Sequence, residues 1–172
     1  YGARPPLDYT LGDELSGQYA LMQASSQLFG RAAIPFFDLS HADVVFSFGA
    51  NFLETWLSPV YFGRAYGQMR RQPVGKRGYL VQFEPRLSST AASADEWIPI
   101  QPGTEGLVAL GLGKIMIEQG LPGNPQHARL YDQVDLAEVV HSSGVPAEEM
   151  ERLARIFAGP LQPKATSASH SL

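Results

Sequence analysis

The 172-residue sequence predicts an α/β fold in which a mostly parallel sheet is flanked by helices. Three observations carry that expectation. Val44–Phe48 is an almost continuous β-branched and aromatic run, the composition of a strand buried on both faces of a parallel sheet, and Tyr79–Phe83 reads as a second strand. A helical pattern lies between them, so the pair forms a β-α-β unit, expected to be right-handed. Each run stops at polar turn residues, Gly49-Ala50-Asn51 and Glu84-Pro85-Arg86.

Residues 1–12, rich in Pro, Gly and Tyr, read as an irregular lead-in. From Asp13 to about Leu28 the positions Leu15, Tyr19, Met22 and Leu28 recur at roughly helical spacing, and Gly30 closes that helix. A short apolar connector (34–37) and a turn (38–43) lead into the first strand. Ser58-Pro59 offers an N-cap followed by Pro at the first helical position. The helix then runs to Arg71, with Tyr61, Ala65 and Met69 on one face and Arg70-Arg71 meeting its dipole. Pro73 and Gly75 end it.

A third strand is expected over 96–100, held to an edge or strand-end role by Pro99. Thr104 caps a helix through Gln119 whose glycines, Gly106, Gly111 and Gly113 among them, cost roughly 1 kcal/mol each against Ala. Close approach to the sheet offsets that cost. Residues 121–131 read as a loop, and Leu136, Val139 and Val140 as a short helix ending at Gly144. The clearest helix spans 146–157: Glu148 and Glu149 sit in its first turn, Met150, Leu153, Ile156 and Phe157 form a stripe, Arg152 and Arg155 lie towards its end, and Gly159-Pro160 stops it. The expected organisation is a lead-in and N-terminal helix over 1–39, a Rossmann-like domain over 40–163 and a flexible tail over 164–172.

Composition narrows the function classes. Charged residues make up 17% of the chain, against about a quarter in an average domain. So light a charge suits a chain that buries surface against partners. The net charge of −4 and pI near 5.5 leave no basic field for nucleic acid. With no cysteine, the chain itself holds no disulfide, iron–sulfur cluster or thiolate-bound metal. Its four histidines (His41, His127, His141, His170) show no metal spacing. No apolar run approaches transmembrane length. No signal peptide is visible, and Tyr1 reads as a boundary inside a longer product.

In an open α/β sheet, ligands bind outside the carboxyl ends of the strands. There Gly49 permits close approach, Asn51 can donate and accept, Glu84 can accept from a purine N–H edge, and Arg86 can hold a phosphate, with Ser88, Ser89 and Thr90 adding hydroxyls. Read alone, an ordinary turn glycine and a surface ion-pairing arginine explain these residues more economically, since neither motif is a full dinucleotide fingerprint or phosphate loop. Glu105 follows Pro102-Gly103-Thr104 at a helix start, a place for an anion, but capping by Thr104 is the better local reading.

Order and spacing say more. Ala42-Asp43 through Gly49-Ala50-Asn51, then Phe83-Glu84-Pro85-Arg86 with Thr90-Ala91 and Ala94-Asp95, then Ile98-Pro99-Ile100-Gln101-Pro102-Gly103-Thr104-Glu105, resemble the molybdopterin oxidoreductase (DMSO reductase-like) family. Gly144 to Glu149 and Arg152-Leu153-Ala154 are similar to the helix that follows in that family, and the resemblance covers nearly all of 40–163. Within the family, the stretch from Phe52 to Val60 is most similar to the molybdopterin-like iron–sulfur subunit of alternative complex III, with menaquinone reductase complexes close by.

That resemblance implies a bis-molybdopterin guanine dinucleotide at the strand ends, with Gly49 and Asn51 lining its phosphate–pterin region. Glu84, Arg86, Thr90 and Glu105 would then lie near a guanine or its ribose. Two family aspartates are replaced, by Glu84 and by Glu105, each a methylene longer. No cysteine precedes the first strand where a metal ligand is common, and Ser16, in roughly that region, reads as a helix residue. These departures fit the alternative complex III subunit, which shares the fold and lacks the molybdenum cofactor.

The resemblance therefore implies a structural part of a membrane-associated quinol oxidoreductase, on the periplasmic face, with no cofactor bound by this chain and no catalytic residue of its own. Iron–sulfur clusters and haem would belong to neighbouring domains or subunits. Partners would be iron–sulfur, cytochrome c and integral membrane subunits. Two alternatives stand beside it: an active molybdoenzyme segment working through the bis-molybdopterin cofactor, and an unrelated nucleotide-binding module.

Overall fold

A computed structural model describes residues 17–71, 77–122 and 125–159, with backbone alone at 125–127. Expectations for Asp13, Leu15 and Ser16, for Pro73 and Gly75, for Pro160 and for the tail 164–172 lie outside the described residues. The chain divides into two compact units between Asp38 and Leu39. In the first, α1 (Gly17–Phe29) ends where the Gly30 N–H donates to the Ser26 carbonyl at 3.0 Å.

The second unit contains β1 (Val44–Phe48), α2 (Pro59–Arg70), β2 (Tyr79–Phe83), α3 (Ser89–Ser93), β3 (Glu96–Ile98), α4 (Glu105–Glu118), a 3-10 helix (Pro125–Tyr131), α5 (Leu136–Ser143) and α6 (Ala147–Ala158). The strands form one parallel sheet in the order β1-β2-β3, with Phe48 opposite Phe83 and Phe83 opposite Ile98. The expected Rossmann-like arrangement is present.

β2 is the central strand, and its Leu80, Val81 and Phe83 are 0% exposed. Val81 and Phe83 join Ile98, Val108, Leu112, Ile115, Met150 and Leu153 in the main core. Phe46 and Phe48 pack on the Phe83 ring at centroid distances of 5.3 and 4.7 Å, and Phe157 meets Phe46 at 4.9 Å. Full burial of side chains such as Phe83 or Leu153 contributes roughly 1.5–3 kcal/mol each.

Several details differ from the sequence expectation. β1 is buried only at Ser47, because it stands at an edge of this three-stranded sheet. The both-faces-buried reading belongs to β2 instead. β3 ends at Ile98, since Pro99 cannot donate to a ladder. α2 buries Phe62, Ala65 and Met69, so Phe62 takes the place expected of Tyr61. Neither Ser58 nor Thr104 makes a side-chain cap; the Thr104 hydroxyl donates to the Gln101 carbonyl at 2.7 Å. The nearest neighbours of Gly111 and Gly113 in α4 are residues of other helices and not of the sheet. A Cβ on Gly111 would stand 2.8 Å from Met150 and Val139 side-chain carbons, and one on Gly113 would stand 2.3 Å from the Tyr131 ring. The helix is close to α5, α6 and the 3-10 helix, the last of which was expected to be loop.

The amino ends of β2 and β3 are tied by charge. Asp95 accepts from the Leu80 N–H at 2.8 Å and from Arg70, which also donates to the Gly78 carbonyl and the Tyr66 hydroxyl, each at 2.9 Å. Arg70 is thus a cross-link and not merely a complement to its helix dipole. Arg152 binds Glu96 and Glu149 together, and the Tyr79 hydroxyl donates to Glu96.

Candidate functional site

The opposite ends of the strands carry the predicted residues. The Gly49 N–H donates to the Phe83 carbonyl at 2.8 Å, closing the last rung between β1 and β2. At φ +69° Gly49 then turns the chain in the left-handed region, where a side chain is strained. The Asn51 carbonyl accepts from the N–H groups of Glu54, Thr55 and Trp56 at 3.0, 2.9 and 3.1 Å, coiling the segment tightly before α2.

After β2 the chain turns around Glu84, which is only 3% exposed. Its carboxylate accepts from the Ser88 N–H at 2.8 Å and from the Gln82 side-chain amide at 3.0 Å. Its carbonyl accepts from the Trp97 indole N–H at 3.0 Å. The Ser88 hydroxyl caps α3 by accepting from the Ala91 N–H at 3.1 Å. Thr90, fully buried, accepts from the Leu53 N–H at 3.2 Å, and Glu54 accepts from the Ser89 N–H. The turns after β1 and β2 are therefore sewn to each other.

The backbone N–H of Ser89, then its hydroxyl, holds the Glu54 carboxyl below its ordinary value against slight desolvation, and the charge of exposed Arg86 adds to this. Arg86 makes no ion pair within bonding distance among the described residues. Glu105, in the first turn of α4, places its side chain beside Gly49: a Cβ built on that glycine stands 3.3 Å from Glu105 Cγ and 3.7 Å from its Oε1.

The structure gathers Gly49, Asn51 and Glu105 at the end of β1 and Glu84 and Thr90 beneath the adjoining turn, with Arg86 outside on the surface. A guanine dinucleotide needs groups with unused hydrogen-bonding capacity facing a common space. Glu84 and Thr90 are buried and turned into internal hydrogen bonds with Ser88, Gln82 and Leu53, so neither opens onto such a space. Glu105 fills the space that Gly49 leaves. Among the described residues, Asn51 Oδ1 is the one side-chain acceptor of these six buried without a partner, and Gln82 Oε1, two residues before Glu84 in sequence, is the other buried side-chain acceptor without one. These six residues, as arranged, do not fit the group.

Sequence reasoning passed over Glu54 and Gln82, and read Ser88 as a ligand-side hydroxyl where the structure makes it a helix cap. For Ser88 a signal existed: a hydroxyl directly before the short run Ser89-Thr90-Ala91-Ala92-Ser93 is an N-cap pattern. Among the described residues, no group of three or more His, Asp or Glu is placed to hold a metal ion. No described helix is long and apolar enough to cross a membrane.

Comparison with known proteins places this geometry among relatives. No family model matches the chain. It is 31% identical over 131 residues, 74% of its length, to the menaquinone reductase molybdopterin-binding-like subunit of Nitratidesulfovibrio vulgaris. It is 28% identical over 89 residues, 52% of its length, to the arsenate respiratory reductase molybdopterin-containing subunit of a Shewanella strain. The chain spans 19% of the length of the first and 10% of the second. Acetylene hydratase from Pelobacter acetylenicus has a similar fold, with a TM-score of 0.55 at 22% identity, covering 72% of this chain and 18% of the hydratase.

Proposed function

The chain belongs to the molybdopterin oxidoreductase family, and from that premise we propose that it is part of a molybdopterin-binding-like subunit whose strand-end crevice holds no working molybdenum site. The observation that carries this reading is the commitment of Glu84 to Ser88 and Gln82, together with the Glu105 side chain lying against Gly49. A crevice stitched shut by its own turns is scaffold, and the segment then acts by positioning neighbouring redox domains.

The likeness to a menaquinone reductase subunit supports membership of a quinone-linked complex, of the menaquinone reductase or alternative complex III kind. In such a complex, quinol oxidation and electron transfer belong to clusters and haems outside this chain. Its partners are iron–sulfur, cytochrome c and integral membrane subunits at the periplasmic face of the membrane.

Metal, pterin and nucleotide analysis of the intact native complex tests the reading. We expect neither stoichiometric molybdenum or tungsten nor bound guanine nucleotide in this subunit. Finding them would establish the second reading, an active bis-molybdopterin segment. Two observations favour that alternative: the unpartnered Asn51 Oδ1 and the molybdopterin-containing arsenate reductase relative.

A further inference from the structure

The outer face of α2 carries a basic stripe that the crevice does not use. Opposite the buried Phe62, Ala65 and Met69, the exposed positions are Val60, Arg64 and Gln68, continued by Arg71 just past the helix end. Two adjoining depressions run along this face. One is lined by Arg64 with Ser58 and Tyr61, the other by Arg71 with His41, and both share Ser40 and Gln68.

Neither depression is lined by a carboxylate. The ion pairs of the described residues engage Arg70, Arg77, Lys114, Arg152 and Arg155, but neither Arg64 nor Arg71. In a chain of net charge −4, two guanidiniums on one helix face that join no ion pair among the described residues mark a local reversal of the prevailing field.

We propose that this face docks an acidic segment of a protein partner, with one carboxylate entering each depression. The spacing argues for a polypeptide over a small anion. Seven residues of helix separate Arg64 from Arg71 by about 10 Å along the axis, and each guanidinium lines a different depression. One phosphate reaches one of them. Carboxylates seven residues, or two turns, apart share one face of a helix and reach both. Opposed charge at a rim of this kind steers encounter and fixes register. The proposal holds whether or not the strand-end crevice carries a cofactor.

The test uses the full chain and a labelled helical peptide with glutamates seven residues apart, followed by fluorescence anisotropy at low ionic strength. A glutamine version of the peptide serves as control. Arg64→Ala with Arg71→Ala is expected to weaken binding about tenfold, roughly the sum of two exposed charge contacts. Arg129→Ala, removing an exposed arginine elsewhere, should leave it unchanged. Circular dichroism establishes that each variant is folded. The proposal is overturned if the native chain prefers neither peptide, if Arg129→Ala weakens binding as much as the double variant, or if inorganic phosphate displaces the peptide at constant ionic strength.

Discussion

Glu105 lies against the α-carbon of Gly49, 3.3 Å from where a β-carbon would stand. Two separable penalties follow for Gly49→Ala. The φ of +69° costs an L-residue about 1–2 kcal/mol, and the Glu105 side chain must retreat by a few tenths of an ångström. Urea denaturation of Gly49→Ala, Glu105→Ala and the double variant separates them. The glutamate truncation should recover part of the loss and leave the conformational part. Strict additivity would show that the two residues do not meet.

Restoring the family's aspartate should not restore a binding site. In Glu84→Asp the shorter carboxylate cannot reach the Ser88 N–H and the Gln82 amide together, so one buried donor loses its acceptor. We expect a loss of about 1–3 kcal/mol and no gained affinity for guanine nucleotide. Equal or greater stability in chemical denaturation would count against the internal role of Glu84.

Tyr79 makes alkaline stability depend on one hydroxyl. Burial first, then its hydrogen bond to Glu96 and the nearby negative charge, pushes it from 10.0 up to about 12. A raised folded value means the folded state keeps the proton longer than the unfolded chain. The contribution is full below the unfolded value and is lost as pH rises towards the folded one. Tyr79→Phe should flatten the decline of stability between those two values, and tyrosinate absorbance should show one late-titrating tyrosine fewer.

Asp95 works in the opposite direction. Burial favours its neutral form, but hydrogen bonds from Arg70 and the Leu80 N–H, together with the charges of Arg70 and Arg77, outweigh it and hold the carboxyl below its ordinary value. Its contribution is therefore present above about pH 4 and is lost as pH falls through the depressed value. Asp95→Ala should cost about 2–3 kcal/mol at neutral pH, because a mostly buried guanidinium and a strand N–H both lose their acceptor. The gap from the native protein should narrow in acid denaturation curves.

β1 and β2 could be read to the residue because dense apolar runs meet polar turns abruptly at Gly49 and Glu84. α6 was legible through its stripe and its terminal Gly159. What stayed hidden depended on contacts distant in sequence. β1 and β2 carry similar residues, and only the pairing order makes one an edge. Glu84 looks like a solvent-facing ligand residue until Ser88 and Gln82 close around it. The glycines of α4 signalled a close approach, but not that Tyr131, Val139 and Met150 make it. The six predicted site residues could be placed at the strand ends; the direction in which each side chain points could not.

The central position of β2 also sets a clock. Its amides are laddered from β1 on one side and to β3 on the other, and Leu80, Val81 and Phe83 are sealed from water. Protons there can exchange with solvent only when the sheet itself opens, whereas those of the short α3 can escape through local fraying. Deuterium uptake by Leu80 to Phe83 therefore reports the lifetime of the whole second unit, and any subunit that docks on it should lengthen that lifetime first at these four residues.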